Sequence, residues 1–181
     1  MNNTTHTFLL AGFGGQGILF LGKAIAVAGL LEDKELSWLP SYGPEMRGGT
    51  CNCSVTVSDE EIGSPQVLTP SCLVVMNQPS FDKFDKATVA GGYTFIDSSL
   101  VSSKSERTDI SVFYIPATSL ANENGLKGLA NIVMLGKICK EYPFLPKETV
   151  LKALEKNNKK NLPEITERNN KAFEIGYNYA E

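Results

Sequence analysis

The sequence predicts one α/β domain spanning 1–181, with a mixed, mostly parallel sheet, helices on both faces and a helical C-terminal third. Three observations carry that expectation. Short apolar runs alternate with stretches of helical periodicity, a glycine-rich turn joins the first run to the first helix, and amphipathic patterns fill the end of the chain. A chain of 181 residues has the length of one ordinary domain.

TFLLAG at 7–12 reads as the first strand and Gln16 to Leu31 as a buried helix. KELSWL at 34–39 and TCNCSVTV at 50–57 follow as strands, and CLVVMN at 72–77 is apolar enough to be covered on both faces. In TCNCSVTV, Cys51, Cys53, Val55 and Val57 share the apolar face, and the polar alternate face predicts a strand that is antiparallel or half exposed. Pro79 and Ser80 mark the start of a crossover helix over 79–89. YTFIDS at 93–98 and ISVFYI at 110–115 complete the strands. Helices are predicted over 125–142, 147–156 and 162–180, the first two separated by Pro143 and Pro146.

The composition excludes several classes of function. Apolar residues at 42% and charged residues at 20%, with no long apolar stretch, argue against both disorder and a membrane span. The N-terminus lacks a basic region ahead of its short apolar run, so a cytoplasmic location is expected. A net charge of -3 offers no cationic field for nucleic acid, and KNNKK at 156–160 reads as a solvated helix end. Cys51, Cys53, Cys72 and Cys139 contain no C-x-x-C pair, so free thiols are expected and no metal site. His6, the single histidine, is placed in a terminal tail, which leaves Ser-His-Asp, Cys-His and zinc chemistry without a base or ligand. Asp82, Asp85 and Asp97 read as solvent or capping carboxylates. Catalytic residues belonging to this chain alone are not expected.

Gly12-Phe13-Gly14-Gly15-Gln16-Gly17 satisfies G-x-G-x-x-G after a strand and before a helix. That context predicts a Rossmann-like βα turn, whose free amides at the helix start favour an anion. Gly12, Gly14, Gly15, Gln16 and Gly17 are therefore candidate cofactor-binding residues. Three readings stay open: a structural turn, an anionic ligand other than NAD, or NAD or FAD. The dinucleotide reading wants an acid at the end of the second strand, where Trp38-Leu39-Pro40-Ser41 has none. Gly17 to Ala24 imitates a P-loop but lies inside the helix and ends in Ala24 instead of a hydroxyl, so Lys23 reads as a surface charge. Asn77, at the carboxyl end of its strand, is a further cofactor-binding candidate, with a helix cap as the alternative.

The segment SYGPEMRGGTCNC at 41–53 is too decorated for a plain connector. With GFGGQG at 12–17, IGSP at 62–65 and NQPSFDKF at 77–84, in this order and spacing, it resembles the gamma subunit of the 2-oxoacid:ferredoxin oxidoreductases, most closely the 2-oxoglutarate (2-oxoglutarate synthase, KorC-like) branch. The resemblance implies a subunit of a hetero-oligomeric, thiamine diphosphate-dependent oxidoreductase that converts a 2-oxoacid to an acyl-coenzyme A and passes electrons to ferredoxin. It further implies alpha, beta and ferredoxin-like delta subunits as partners, with thiamine diphosphate and iron-sulfur clusters held by them, and a gamma chain associated with coenzyme A access and inactive by itself. Ser41, Tyr42, Gly43, Pro44, Glu45, Met46, Arg47, Gly48 and Gly49 then read as an interface or active-site-facing loop, rich in side chains favoured at interface cores. An independent NAD- or flavin-binding reductase, and a related indolepyruvate or branched-chain oxoacid oxidoreductase subunit, remain the alternatives.

Overall fold

The computed structural model describes residues 4–42, 50–158 and 162–180. Among them run β1 (Thr5–Phe13), α1 (Ile18–Leu31), β2 (Glu35–Tyr42), β3 (Thr50–Ser58), β4 (Cys72–Val75), α2 (Gln78–Phe84), β5 (Tyr93–Asp97), β6 (Ser111–Ile115), α3 (Ala117–Glu123), α4 (Ala130–Glu141), α5 (Lys147–Asn157) and α6 (Pro163–Tyr177). The strands form one sheet in the order β2-β3-β1-β4-β5-β6. β1, β4, β5 and β6 are parallel neighbours, and β3 alone runs against them, antiparallel to both β1 and β2. The sheet is therefore mixed and mostly parallel, as the alternation of strands and helices predicted.

The two faces are covered unequally. Phe8, Leu10, Cys53, Val55, Val57, Val74 and Phe95 point to the face that carries α1, α3, α4, α5 and α6. Leu9, Leu73, Val75 and Ile96 point to the other, where Phe81 of α2 and Val101 of an extended segment cover them. Of the two readings of β3, antiparallel or half exposed, the antiparallel one holds along the whole strand. Thr50 is exposed and Asn52 partly so, while Ser54, Thr56 and Ser58 are buried because the chain after β3 folds back over them, with Val67 N–H donating to Ser54 Oγ (3.3 Å).

Glycines set how closely the helices lie. Gly22 and Gly29, seven residues apart and so on one side of α1, rest on β3; a Cβ at Gly22 would lie 2.7 Å from Cys53 Sγ, and one at Gly29 2.6 Å from Leu36 and 2.9 Å from Val57. α4 and α6 cross with their backbones touching at Gly136 and Gly176, where added methyls would overlap the carbonyl oxygens of Phe173 and Val133. The last helix thus packs on α4 as a second layer. Lys137 of α4 is buried there with its charge matched, Nζ lying 2.7 Å from Glu141 Oε1 and donating to the Tyr179 carbonyl (3.1 Å) above the Phe113 ring.

Several boundaries move from their expected places. β2 runs on to Tyr42, past Pro40, because the whole of it pairs with β3 from Glu35↔Ser58 to Tyr42↔Cys51. α4 begins at Ala130 and not at 125, since Gly125 (φ 71) and Gly128 (φ 88) take left-handed backbone. α3 has no counterpart in the sequence reading. Of the basic run 156–160, Lys156 is exposed in the last turn of α5, and 159–160 lie outside the described residues.

His6 is a correction. It lies inside β1, opposite Val57, because the polar stretch before the apolar run pairs with the end of β3. Its Nδ1 is 2.5 Å from Tyr142 Oη, which is 3.0 Å from Ser71 Oγ, and its ring meets Tyr142 edge-on. Burial lowers the His6 pKa below the ordinary 6.5, reinforced by Lys34 and opposed by Asp59. Burial likewise pushes the Tyr142 phenol up to about 12.

Two predictions follow from these contacts. Gly136→Ala should cost about 3 kcal/mol or more in urea unfolding, because the obstructing atom is backbone and α6 must move, whereas Gly63→Ala, with open space around it, should stay within about 0.5 kcal/mol of wild type. For His6 the folded pKa is below the unfolded one, so the unfolded state binds the proton first as pH falls through 6.5. Stability should therefore decline from pH 7.5 to 5.5, and His6→Gln should flatten that slope; an unchanged slope would show that His6 does not carry it.

Candidate functional site

The carboxyl ends of β1, β4 and β5 form one edge of the sheet, and the glycine turn stands at its middle. Gly12 is the penultimate residue of β1, Gln16 N–H closes the turn onto the Phe13 carbonyl (3.2 Å), and α1 opens at Ile18. Gly15 (φ 96) and Gly17 (φ 76) both take left-handed backbone. Gly17 differs from the expected third glycine. It caps α1 instead of packing helix on strand, and a Cβ there would strike the Asn131 amide, which donates through Nδ2 to the Gly17 carbonyl (3.1 Å). The close helix-to-sheet contact falls to Gly22 and Gly29 instead.

After β1 the chain crosses to the face under α1 and toward β2; after β4 it crosses to the opposite face under α2. The crevice between these departures is where open α/β sheets take ligands. Here Gln16 fills it. Its Oε1 accepts from Phe13 N–H (2.6 Å) and its Nε2 donates to the Met76 carbonyl (2.8 Å), so one side-chain amide ties the end of β1 to the end of β4. A Cβ on Gly12 would lie 2.6 Å from Gln16 Oε1 and 2.8 Å from Ile18 Cδ1, which is why this position is bare. Gly14 and Gly15 remain exposed outside the plug. α1 begins with no side-chain cap and no acid in its first turn, so among the described residues its own sequence leaves the positive end uncompensated.

Asn77 follows β4 and caps α2, its Oδ1 accepting from Ser80 N–H (2.8 Å). It is 1% exposed, and among the described residues its Nδ2 has no hydrogen-bond partner, nor does the buried Ser80 Oγ. The capping alternative is thus realised, with donor capacity left over. Of the two places open to Asp97, solvent and cap, it takes the cap. It is fully buried at the end of β5, accepting from Thr118 Oγ1 (2.5 Å), from Ser99 N–H (3.1 Å) and from Thr118 N–H in the first turn of α3 (3.4 Å).

β2 ends on the same edge. Tyr42 and Gly12 both stand opposite Cys51, one on each side of β3, so of the strands flanking 43–49 β3 lies next to the strand that ends in the glycine turn and β2 one strand further out. Ser41 is exposed there. Gly43, Pro44, Glu45, Met46, Arg47, Gly48 and Gly49 lie outside the described residues, and of Tyr42 only the backbone is described.

Burial disfavours the thiolate at the cysteines of β3, pushing Cys53 up to about 12, with Cys51 reinforcing the rise and Trp38 opposing it, and raising Cys51; it also raises Cys72 at the start of β4. No group of three or more His, Cys, Asp or Glu suited to a metal ion occurs among the described residues. Asn131 and the Gln16 bridge were missed by the sequence reading. The partner of Gly17 lies 114 residues away, and no local signal announces it.

The profile of the family described as pyruvate ferredoxin/flavodoxin oxidoreductase matches residues 7–179. The chain belongs to that family. Ketoisovalerate oxidoreductase subunit VorA of Methanothermobacter thermautotrophicus is 44% identical over 127 residues, covering 70% of this chain, but the match spans only 26% of VorA. The 2-oxoglutarate synthase subunit KorC of Methanocaldococcus jannaschii is 39% identical over 175 residues, covering 94% of this chain and 91% of KorC. Among solved structures, the keto/oxoacid ferredoxin oxidoreductase gamma subunit of Geobacter sulfurreducens aligns with a TM-score of 0.79 at 29% identity, over 95% of this chain and 96% of that one. Membership is thus carried by nearly the whole fold, and the relatives named are oxidoreductase or synthase subunits. No helix among the described residues is long and apolar enough to cross a membrane.

The capping role of Asn77 is measurable. Asn77→Ala should cost about 1 kcal/mol in urea unfolding, and Asn77→Ser, which keeps an acceptor for Ser80 N–H, only a few tenths. Equal losses in the two variants would assign the effect to packing instead.

Proposed function

We propose that the chain is the gamma subunit of a 2-oxoacid:ferredoxin oxidoreductase, of the branch acting on 2-oxoglutarate, and that it works as one domain over 1–181. The likeness to KorC, which runs nearly from end to end of both chains, carries this reading. In such an enzyme thiamine diphosphate and the iron-sulfur clusters would lie in alpha, beta and ferredoxin-like delta chains, coenzyme A would be a substrate, and ferredoxin the electron acceptor. A supporting part suits the residues at hand. The thiols are raised by burial and the single imidazole is engaged in packing, so the described residues offer docking and binding groups in place of a reaction centre.

Two surfaces of the carboxyl edge would serve that part. The exposed backbone of Gly14 and Gly15, beside the uncapped start of α1, suits the phosphates of coenzyme A or a carboxylate of a neighbouring chain. The 41–49 segment, rooted on β2 and β3, would present Tyr42, Met46 and Arg47 to a partner. A second reading, a branched-chain oxoacid enzyme, is favoured by the higher identity to VorA over its shorter match.

A tagged copy purified from its native host decides between these. Companion chains carrying thiamine diphosphate and iron, with 2-oxoglutarate turned over faster than 2-oxoisovalerate or pyruvate, are the expected result. A preference for 2-oxoisovalerate would move the chain to the second reading, and a lone chain with neither cofactor would overturn both. In the same preparation Arg47→Ala should lower co-purification or turnover roughly tenfold without changing Tm; normal assembly and activity would remove the loop from the interface.

A further inference from the structure

We propose that the outer stripe of α1 pairs with the same stripe of a second copy of this chain, the two helices lying antiparallel about a twofold axis. α1 carries apolar residues on every side, and its 14 residues include a single charge, Lys23. A helix of that character belongs inside a protein. Yet Lys23 and Leu30 are exposed, Leu30 by 63%, and Leu19, Ala26 and Val27 are only half-buried. Trp38 of β2, itself 42% exposed, borders the stripe, with its Nε1 3.2 Å from where a Cβ on Gly22 would stand.

The order of residues along the stripe fits it to itself. Lys23, Ala26 and Leu30 follow at intervals of three and four, the spacing of a seam between paired helices, and Asp33 continues the series three residues on. Asp33 keeps to the winding of α1, since its N–H donates to the Leu30 carbonyl (3.4 Å), and it is exposed. An antiparallel neighbour placed with its Ala26 against Leu30 receives Leu30 against its own Ala26 and meets Lys23 with Asp33, because both pairs are centred on Ala28. Large then meets small, and cation meets anion, on both sides of the axis.

Within one copy these two charges are left over. Lys23 and Asp33 stand about 15 Å apart along the helix, too far to meet. Among the described residues neither makes an ion pair, whereas Glu32 and Lys34 beside Asp33 are engaged with Thr149 and Asp59. A parallel neighbour would set Lys23 against Lys23, so the charges select the antiparallel arrangement. One second copy supplies both missing partners at once, as a self-complementary twofold interface requires.

The test begins with sedimentation of the isolated full-length chain, which should be dimeric at a concentration of about 50 μM. Lys23→Asp and Asp33→Asn should each weaken the dimer at least about tenfold; Asn suits the left-handed backbone at Asp33 (φ 51). Lys23→Asp combined with Asp33→Lys should restore the dissociation constant to within about threefold of wild type. In wild type a zero-length carbodiimide crosslink should join Lys23 to Asp33, and in a mixture of 15N-labelled and unlabelled chains it should link peptides of both masses. A wild-type chain that stays monomeric would overturn the proposal, and so would a dimer whose mixed crosslinks join other residues, whether or not the variants fold. A monomer whose Lys23 crosslinks, in the native preparation, to a carboxylate of a companion chain would overturn it as well and assign the stripe to that chain. The pairing requires no oxoacid and no companion, so its failure leaves the subunit reading untouched.

Discussion

One primary amide holds the carboxyl edge of this sheet together. β1 and β4 are parallel neighbours whose ladder ends near Met76, beyond which the two chains leave to opposite faces. Strand ends that diverge expose backbone donors and acceptors that must find partners. Gln16 supplies both, accepting from Phe13 N–H and donating to the Met76 carbonyl, and the bare Gly12 beneath it makes room. The left-handed turn, the start of α1 at Ile18 and the placement of Asn77 at the head of α2 are all registered against this bridge. Remoter contacts continue it, as Asn131 reaches Gly17 from α4, which α6 in turn grips at Gly136 and Gly176.

The two halves of the molecule have different physical characters. The helical face is close-packed through glycines, where backbone meets side chain or backbone with nothing in between, and such contacts tolerate little change in volume. The other face is covered by α2 and by extended segments that bond through side chains to main chain, as Gln78 does to Ser102 and Ser103 and as Ser54 does to Val67. Both of its cover segments leave or join the sheet at strand ends. A rigid half and a thinner half thus meet along one sheet, and the candidate site lies on their common edge.

How much of this was written in the sequence depends on the range of the interaction that fixes it. The apolar runs at β1, β4, β5 and β6 were legible because burial on both faces leaves a local imprint in residue type, and the G-x-G-x-x-G pattern gave the turn its place. The helical periodicity over 125–142 runs on through Gly125 and Gly128, and only their left-handed backbone, which residue type alone does not announce, delays α4 to Ala130. His6 depends on a contact of a different range. A polar residue looks solvent-facing until its partner is known, and that partner, Tyr142, lies 136 residues away. Ser54, Thr56 and Ser58 repeat the lesson, since their cover is a loop with no periodicity to betray it. The glycine pattern itself was legible but its use was not.

Pro40 carries one more consequence. It stands in β2, the outermost strand on its side of the sheet, and has no N–H to offer. At the opposite rim Tyr114 of β6 accepts from Ser105 N–H (2.9 Å) while Lys104 lies 3.5 Å above its ring, which sets a flanking segment and a cation against the last strand. A foreign strand arriving at either rim meets a gap in the donor row or a charged flank, the devices by which sheets avoid growing sideways into aggregates. Sideways growth of the sheet is thereby disfavoured at both rims, which leaves the ends of the strands as its open boundary.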